Sequence, residues 1–191
     1  MRIFLILLLF ITGHLYANEF TEGRDKNSVE AVQSLEAYAK YKMGQYEEAR
    51  EIWMGLADKN NTTAFINLAN LYEHGQGVER NLTTSITWLE KAAILGDSRG
   101  QFQLGMAYEK GLGVEKDLHE AAKWLEKAAE QNDGRAQFNL GVMLATNFGQ
   151  GVMTSSQEQR KQAISWLEKA KENSTEDAQE FINLLSTLQS N

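Results

Sequence analysis

The chain has 191 residues, a formal net charge of −7, no proline and no cysteine. Nucleic acid binding needs clustered Lys and Arg to displace counterions, and this acidic chain has no such cluster. Without cysteine there are no disulfide staples, thiolate metal ligands or lipidated thiols, so packing alone must hold the core.

Residues 1–17 read as a secretory signal peptide. Arg2 is a basic start, Ile3 to Ile11 is an unbroken apolar run, and Leu15-Tyr16-Ala17 ends in a small residue suited to cleavage. The run is too short for a membrane span, which takes roughly 20 helical residues. The mature chain is therefore expected to start at Asn18 and to have no membrane partner after cleavage. Residues 18–27 are polar and patternless, which predicts a disordered leader.

Residues 28–61 predict two helices, joined near Gly44 and with Trp53 on the second. They read as a worn first copy of a unit that recurs through the rest of the chain. The phrase WLEKA occurs at Trp88 to Ala92, at Trp124 to Ala128 and at Trp166 to Ala170. Gly75-x-Gly77-Val78 recurs as Gly111-x-Gly113-Val114, and Leu68, Leu104 and Leu140 keep the same 36-residue step. This period divides the chain into copies at 62–97, 98–133 and 134–175, the third lengthened by six residues around "ATNFGQGVMTSSQEQRK". A fixed period of this length signals stacked supersecondary units.

Each copy reads as two helices with the Gly-x-Gly stretch as the turn between them. In the second copy, Ser98 with Gln101 and Asp117 with Glu120 are candidate capping boxes. At 100° per residue, Trp124, Leu125, Ala128 and Ala129 fall on one face, with Glu126 and Lys127 opposite. The alanines allow close helix approach, and Trp124 is expected to be buried between units. Residues 176–191 repeat the start of a unit and stop, which predicts a capping helix, since an end unit has one neighbour.

Ala136-Gln137-Phe138-Asn139-Leu140-Gly141, the Gly-x-Gly-Val turn and Ala121-x-x-Trp124-x-x-Lys127-Ala128-Ala129 together resemble the SEL-one-like repeat. That is a relative of the tetratricopeptide repeat, which residues 28–61 resemble through Gly44-x-Tyr46-x-x-Ala49. The resemblance implies an all-α fold: a right-handed α/α solenoid of antiparallel helix pairs, with three repeats between a tetratricopeptide-like pair and the capping helix. It also implies an adaptor, assembly or regulatory role, often in exported bacterial proteins that bind proteins or cell-wall components. A cysteine-rich exported branch that binds penicillin-like molecules has disulfides in each helix pair. This sequence has none of those cysteines.

The Gly-x-Gly stretches lack the third glycine and preceding strand of a phosphate loop, so they read as turns. His74 and His119 have no second ligand at metal spacing, and no serine sits in a nucleophile elbow. No catalytic residue, metal or cofactor is expected. Two columns on the first helices, Ile66, Phe102, Phe138 and Asn70, Met106, Val142, correspond to groove-facing positions in tetratricopeptide-like solenoids. The competing reading packs the aromatics between units. Phe148 and Met153 add two large apolar groups in the lengthened loop, a second candidate contact. The expectation is an exported, periplasmic, non-catalytic scaffold that holds a protein partner. The alternatives are an immunity or inhibitor protein against a toxin or hydrolase and, further off, a cell-wall or β-lactam-binding enzyme.

Overall fold

The structure, a computed structural model, describes residues 28–151, 155–173 and 177–189. Residues 1–27, where a signal peptide and a disordered leader are expected, and Met153 lie outside the described residues. Helix α1 spans 28–42. It is followed by α2 (Tyr46–Ala57), α3 (Thr62–His74), α4 (Leu82–Ile94), α5 (Ser98–Lys110), α6 (Leu118–Glu130), α7 (Gly134–Ala145), α8 (Gln157–Glu172) and α9 (Ala178–Gln189). No strand occurs among the described residues. From α2 onward each helix packs on the next, most extensively within the pairs α3–α4, α5–α6 and α7–α8. In addition α3 touches α5 and α7 touches α9, so alternate helices form a common layer. This is an all-α solenoid of antiparallel helix pairs.

The 36-residue period is written in the caps as well as in the core. Asn61, Asp97 and Asp133 cap α3, α5 and α7, each accepting hydrogen bonds from backbone N–H groups of the first turn. Asn81, Asp117 and Ser156 do the same for α4, α6 and α8. Such oxygens satisfy donors that have no intrahelical partner. The expected Ser98–Gln101 capping box is therefore misplaced by one residue, because Asp97 takes the cap. Asp117 accepts from the N–H groups of His119 and Glu120 as expected. The reciprocal box, with side chains bonded in both directions, occurs at Ser156 and Gln159.

Gln101 has a different task. Its side chain is 5% exposed and donates to the Ala93 carbonyl at 3.2 Å, while its oxygen accepts from Gln131 at 2.8 Å. Gln137 repeats the arrangement one unit later, donating to the Ala129 carbonyl at 3.0 Å and accepting from Asn173 at 2.8 Å. Each amide ties three successive helices together and leaves no buried polar atom unpaired, which is what makes a buried amide tolerable.

The core is a chain of small clusters, each shared by neighbouring helices. Leu68, Leu104, Leu125 and Leu167 are fully buried, and Ala92, Ala128 and Ala170 lie at the helix contacts. The tryptophans depart from expectation. Trp53 is buried, but Trp88, Trp124 and Trp166 are only partly so. Each lies under the lysine three residues on, with Lys91, Lys127 and Lys169 at 4.0, 3.9 and 4.1 Å from the ring centres. The recurrent phrase thus encodes a leucine for the core, alanines for close approach and a lysine clasped over a half-buried ring. Such a clasp contributes about 0.5–1 kcal/mol at an exposed site.

Candidate functional site

The candidate site residues lie on α3, α5 and α7, and the structure separates them. Ile66 is 5% exposed and sits in the cluster with Trp53, Leu56 and Leu71. It is core and cannot meet a partner, because the first unit uses the position to pack on the N-terminal pair. Phe138 is shared with the capping helix: it is partly exposed, but its ring meets Phe181 of α9 edge-on at 5.8 Å. Asn70 is partly exposed, and its carbonyl lies 2.9 Å from His74 Nδ1.

Phe102 and Met106 remain open to solvent in part. With Leu82, Ile86 and Leu89 of α4 and with Leu112 they line a cavity of about 260 Å³. Glu73, Gln103 and Lys110 supply its polar wall. The Arg135 guanidinium lies 4.4 Å from the centre of the Phe102 ring and pairs with Asp133 at 2.7 Å. The arrangement offers an apolar recess with charge of both signs at its edge. It can hold an apolar side chain and orient the polar groups around it.

Val142 lies apart from this recess. It shares a second cavity, about 390 Å³, with Lys110, Leu118, Met143, Thr146 and Phe148. Phe148 has φ +53°, and its ring centre is 4.8 Å from that of His119 on α6. The lengthened loop thus folds its aromatic back onto the start of α6. Sequence reasoning missed the α4 contribution. Leu82 and Ile86 stand four apart and share one helix face, a signal that is present but unassignable until α4 is laid against α5. Arg135 gave no signal, since its partner ring lies a whole unit upstream.

The unit boundary carries the charge chemistry. Burial pushes the Asp97 carboxyl up, but the Arg99 side chain, the Thr62 hydroxyl and the Gly100 N–H outweigh it and hold the group below its ordinary 3.8. Thr62 donates to it at 2.7 Å across 35 residues, joining the start of α3 to the start of α5. Arg99 also reaches back to the Thr63 hydroxyl at 3.0 Å. These are links between repeats. Among the described residues no group of acids and histidines could hold a metal ion.

Known proteins share this outline. The Sel1 repeat model matches residues 63–97, 98–133 and 134–174. A Sel1 repeat protein from Oxalobacter formigenes is 35% identical, with a TM-score of 0.71 over 79% of this chain and 60% of its own. A protective antigen present in uropathogenic Escherichia coli strains, displaying an SLR fold, is 32% identical, with a TM-score of 0.65 over 73% of this chain and 29% of its own. The chain thus spans less than two thirds of either relative. A Sel1 repeat protein from Klebsiella pneumoniae shares the fold at 21% identity and a TM-score of 0.50, over 82% of this chain and 77% of its own. None of the curated proteins compared matches the chain. With three tandem matches covering more than half of its residues, the chain belongs to the Sel1 repeat family.

Proposed function

We propose that the chain is an exported scaffold, without chemistry of its own, that holds a protein partner against the face formed by α4 and α5. Sel1 repeat proteins generally serve as protein-binding scaffolds, and the family supplies that part of the reading. The observation that carries the site is the recess lined by Phe102 and Met106. Interfaces draw most of their energy from a few side chains seated in desolvated pockets with polar rims. A recess of about 260 Å³ has room for one such anchor, and Glu73, Gln103 and Lys110 give it a polar margin. Export rests on the basic start, short apolar run and Ala17 of the N-terminal segment.

Affinity capture from the periplasm of the parent organism tests both parts. The chain beginning at Asn18 is expected to retain a defined protein that a Met106→Lys variant with unchanged melting temperature releases. Retention of the same protein by both would remove the recess from the interface. Recovery of protein with an intact Met1 from the soluble cytoplasm would refute export.

A further inference from the structure

The three repeats are not equivalent at one place, and the difference leaves a pocket. In the second and third repeats the position 36 residues apart is Gln101 and Gln137, each bonded to an amide just past the end of α6 or α8, Gln131 or Asn173. In the first repeat Phe65 stands there, and the residue answering Gln131 is Leu95. The residue before it is Ile94, where the other repeats have Glu130 and Glu172. Phe65 stacks on Trp88 with ring centres 5.7 Å apart. Leu95 does not close over the stack as the amides do: it is 51% exposed, and Ile94 is 74% exposed. The result is a cavity of about 400 Å³ at the end of α4, walled by Phe65, Trp88, Ile94, Leu95, the end of α2 at Ala57 and the turn that follows it.

Two charges mark its edge. Lys91 sits over both rings, 4.0 Å from the Trp88 centre and 5.8 Å from that of Phe65. Among the described residues neither Lys91 nor Asp58, which also borders the cavity, belongs to an ion pair. We propose that this pocket is a second docking site, separate from the Phe102–Met106 recess, for an apolar side chain flanked by a single carboxylate on a protein partner. Trp88, half-buried above the buried Phe65 ring, and the two exposed aliphatics receive the apolar group, and the Lys91 ammonium receives the carboxylate. Asp58 repels a second acidic group, so an acidic tract is a poor ligand. Ile94 and Leu95 are costly to leave in water, and the other two repeats have polar residues at both positions.

The internal repeat supplies the control. With N-acetyl-L-phenylalanine as probe and ¹⁵N-labelled protein, the indole N–H of Trp88 is expected to shift and saturate, while those of Trp124 and Trp166 stay still. N-acetyl-L-phenylalaninamide, which lacks the carboxylate, is expected to bind about threefold more weakly, the typical worth of an exposed ion pair. Lys91→Gln should abolish that preference. The double variant Ile94→Glu, Leu95→Gln carries the second repeat's residues at exposed positions and should fold as wild type without responding to the probe. A silent Trp88, equal responses from all three indoles, or an unchanged response in the double variant would each overturn the proposal. So would a Trp88 shift that tracks protein concentration alone, which would assign the pocket to a second copy of the chain.

Discussion

Gly113 has φ +75°, and a Cβ built there would stand 2.6 Å from the Leu82 carbonyl oxygen. Both the turn and the docking of that turn on the preceding helix pair therefore require glycine. Gly149, in the lengthened copy, has φ +84° but open space around it. Gly149→Ala should cost only the strain of a left-handed residue, about 1 kcal/mol. Gly113→Ala should cost more, about 2–4 kcal/mol, because backbone must also move. Thermal denaturation of the two variants checks the order, and equal losses would mean that the turn does not dock. At Asp97 the prediction concerns acid. Its folded-state pKa is depressed, so its contribution to stability is complete above the ordinary 3.8 and is lost as the pH falls through the folded value. Asp97→Asn should flatten that part of the stability-versus-pH curve, measured as urea midpoints from neutral to acid pH. A curve that parallels wild type would place the acid sensitivity elsewhere. Both residues are visible in the sequence only as types. The glycine's turn is readable from its recurrence, but its contact with Leu82 depends on how the previous unit is stacked.

The elements are legible where a rule acts locally and obscure where two units meet. Helix pairs, turns and the capping helix come from a period, caps and glycines that lie within a few residues of one another. The tryptophans escape such a reading because helical facing alone does not say how deep a ring sinks. Trp124 shares its face with Leu125 and Ala128, yet the leucine takes the core and the ring stays half-buried under Lys127. The groove columns break down for a related reason. Equivalent positions have different neighbours at the two ends of a solenoid, so Ile66 is absorbed by the N-terminal pair and Phe138 is shared with α9. Gln137 makes the unit-to-unit contact testable. It is fully buried and bonded to Ala129 and Asn173, so Gln137→Leu should remove two hydrogen bonds between helices at a cost of about 1–3 kcal/mol. Asn173→Ala, at an exposed position, should cost less. A urea denaturation series in which the two variants cannot be distinguished would contradict the pin. The lengthened loop of the third copy remains a candidate contact through Phe148. Trimming residues 146–159 to the length of 110–117 is expected to preserve the helical far-UV spectrum and to weaken partner binding. Unchanged affinity would leave the recess as the whole interface.

At the scale of the molecule, each unit buries its apolar face against its neighbours alone, so stability should be close to a sum of units and interfaces. Removing α9 uncovers Phe138, Val142 and the residues packed on Leu185 in the last cluster, and the loss should be greatest in the third repeat. Hydrogen exchange on the chain shortened at residue 176 is expected to show protection falling in α7 and α8 while α3 and α4 keep theirs. A uniform fall would mean that the solenoid unfolds as one block. The same modular logic lets a face be varied without disturbing the stack, which is how a repeat scaffold can carry a binding site on α4 and α5. The most direct measurement is site-specific photocrosslinking in living cells. A benzophenone side chain at 106 lies in the recess, and one at 123 replaces the exposed Lys123 on α6. A discrete crosslinked partner at 106 and none at 123 is the predicted result, whereas crosslinks at 123 with none at 106 would contradict the proposed binding face.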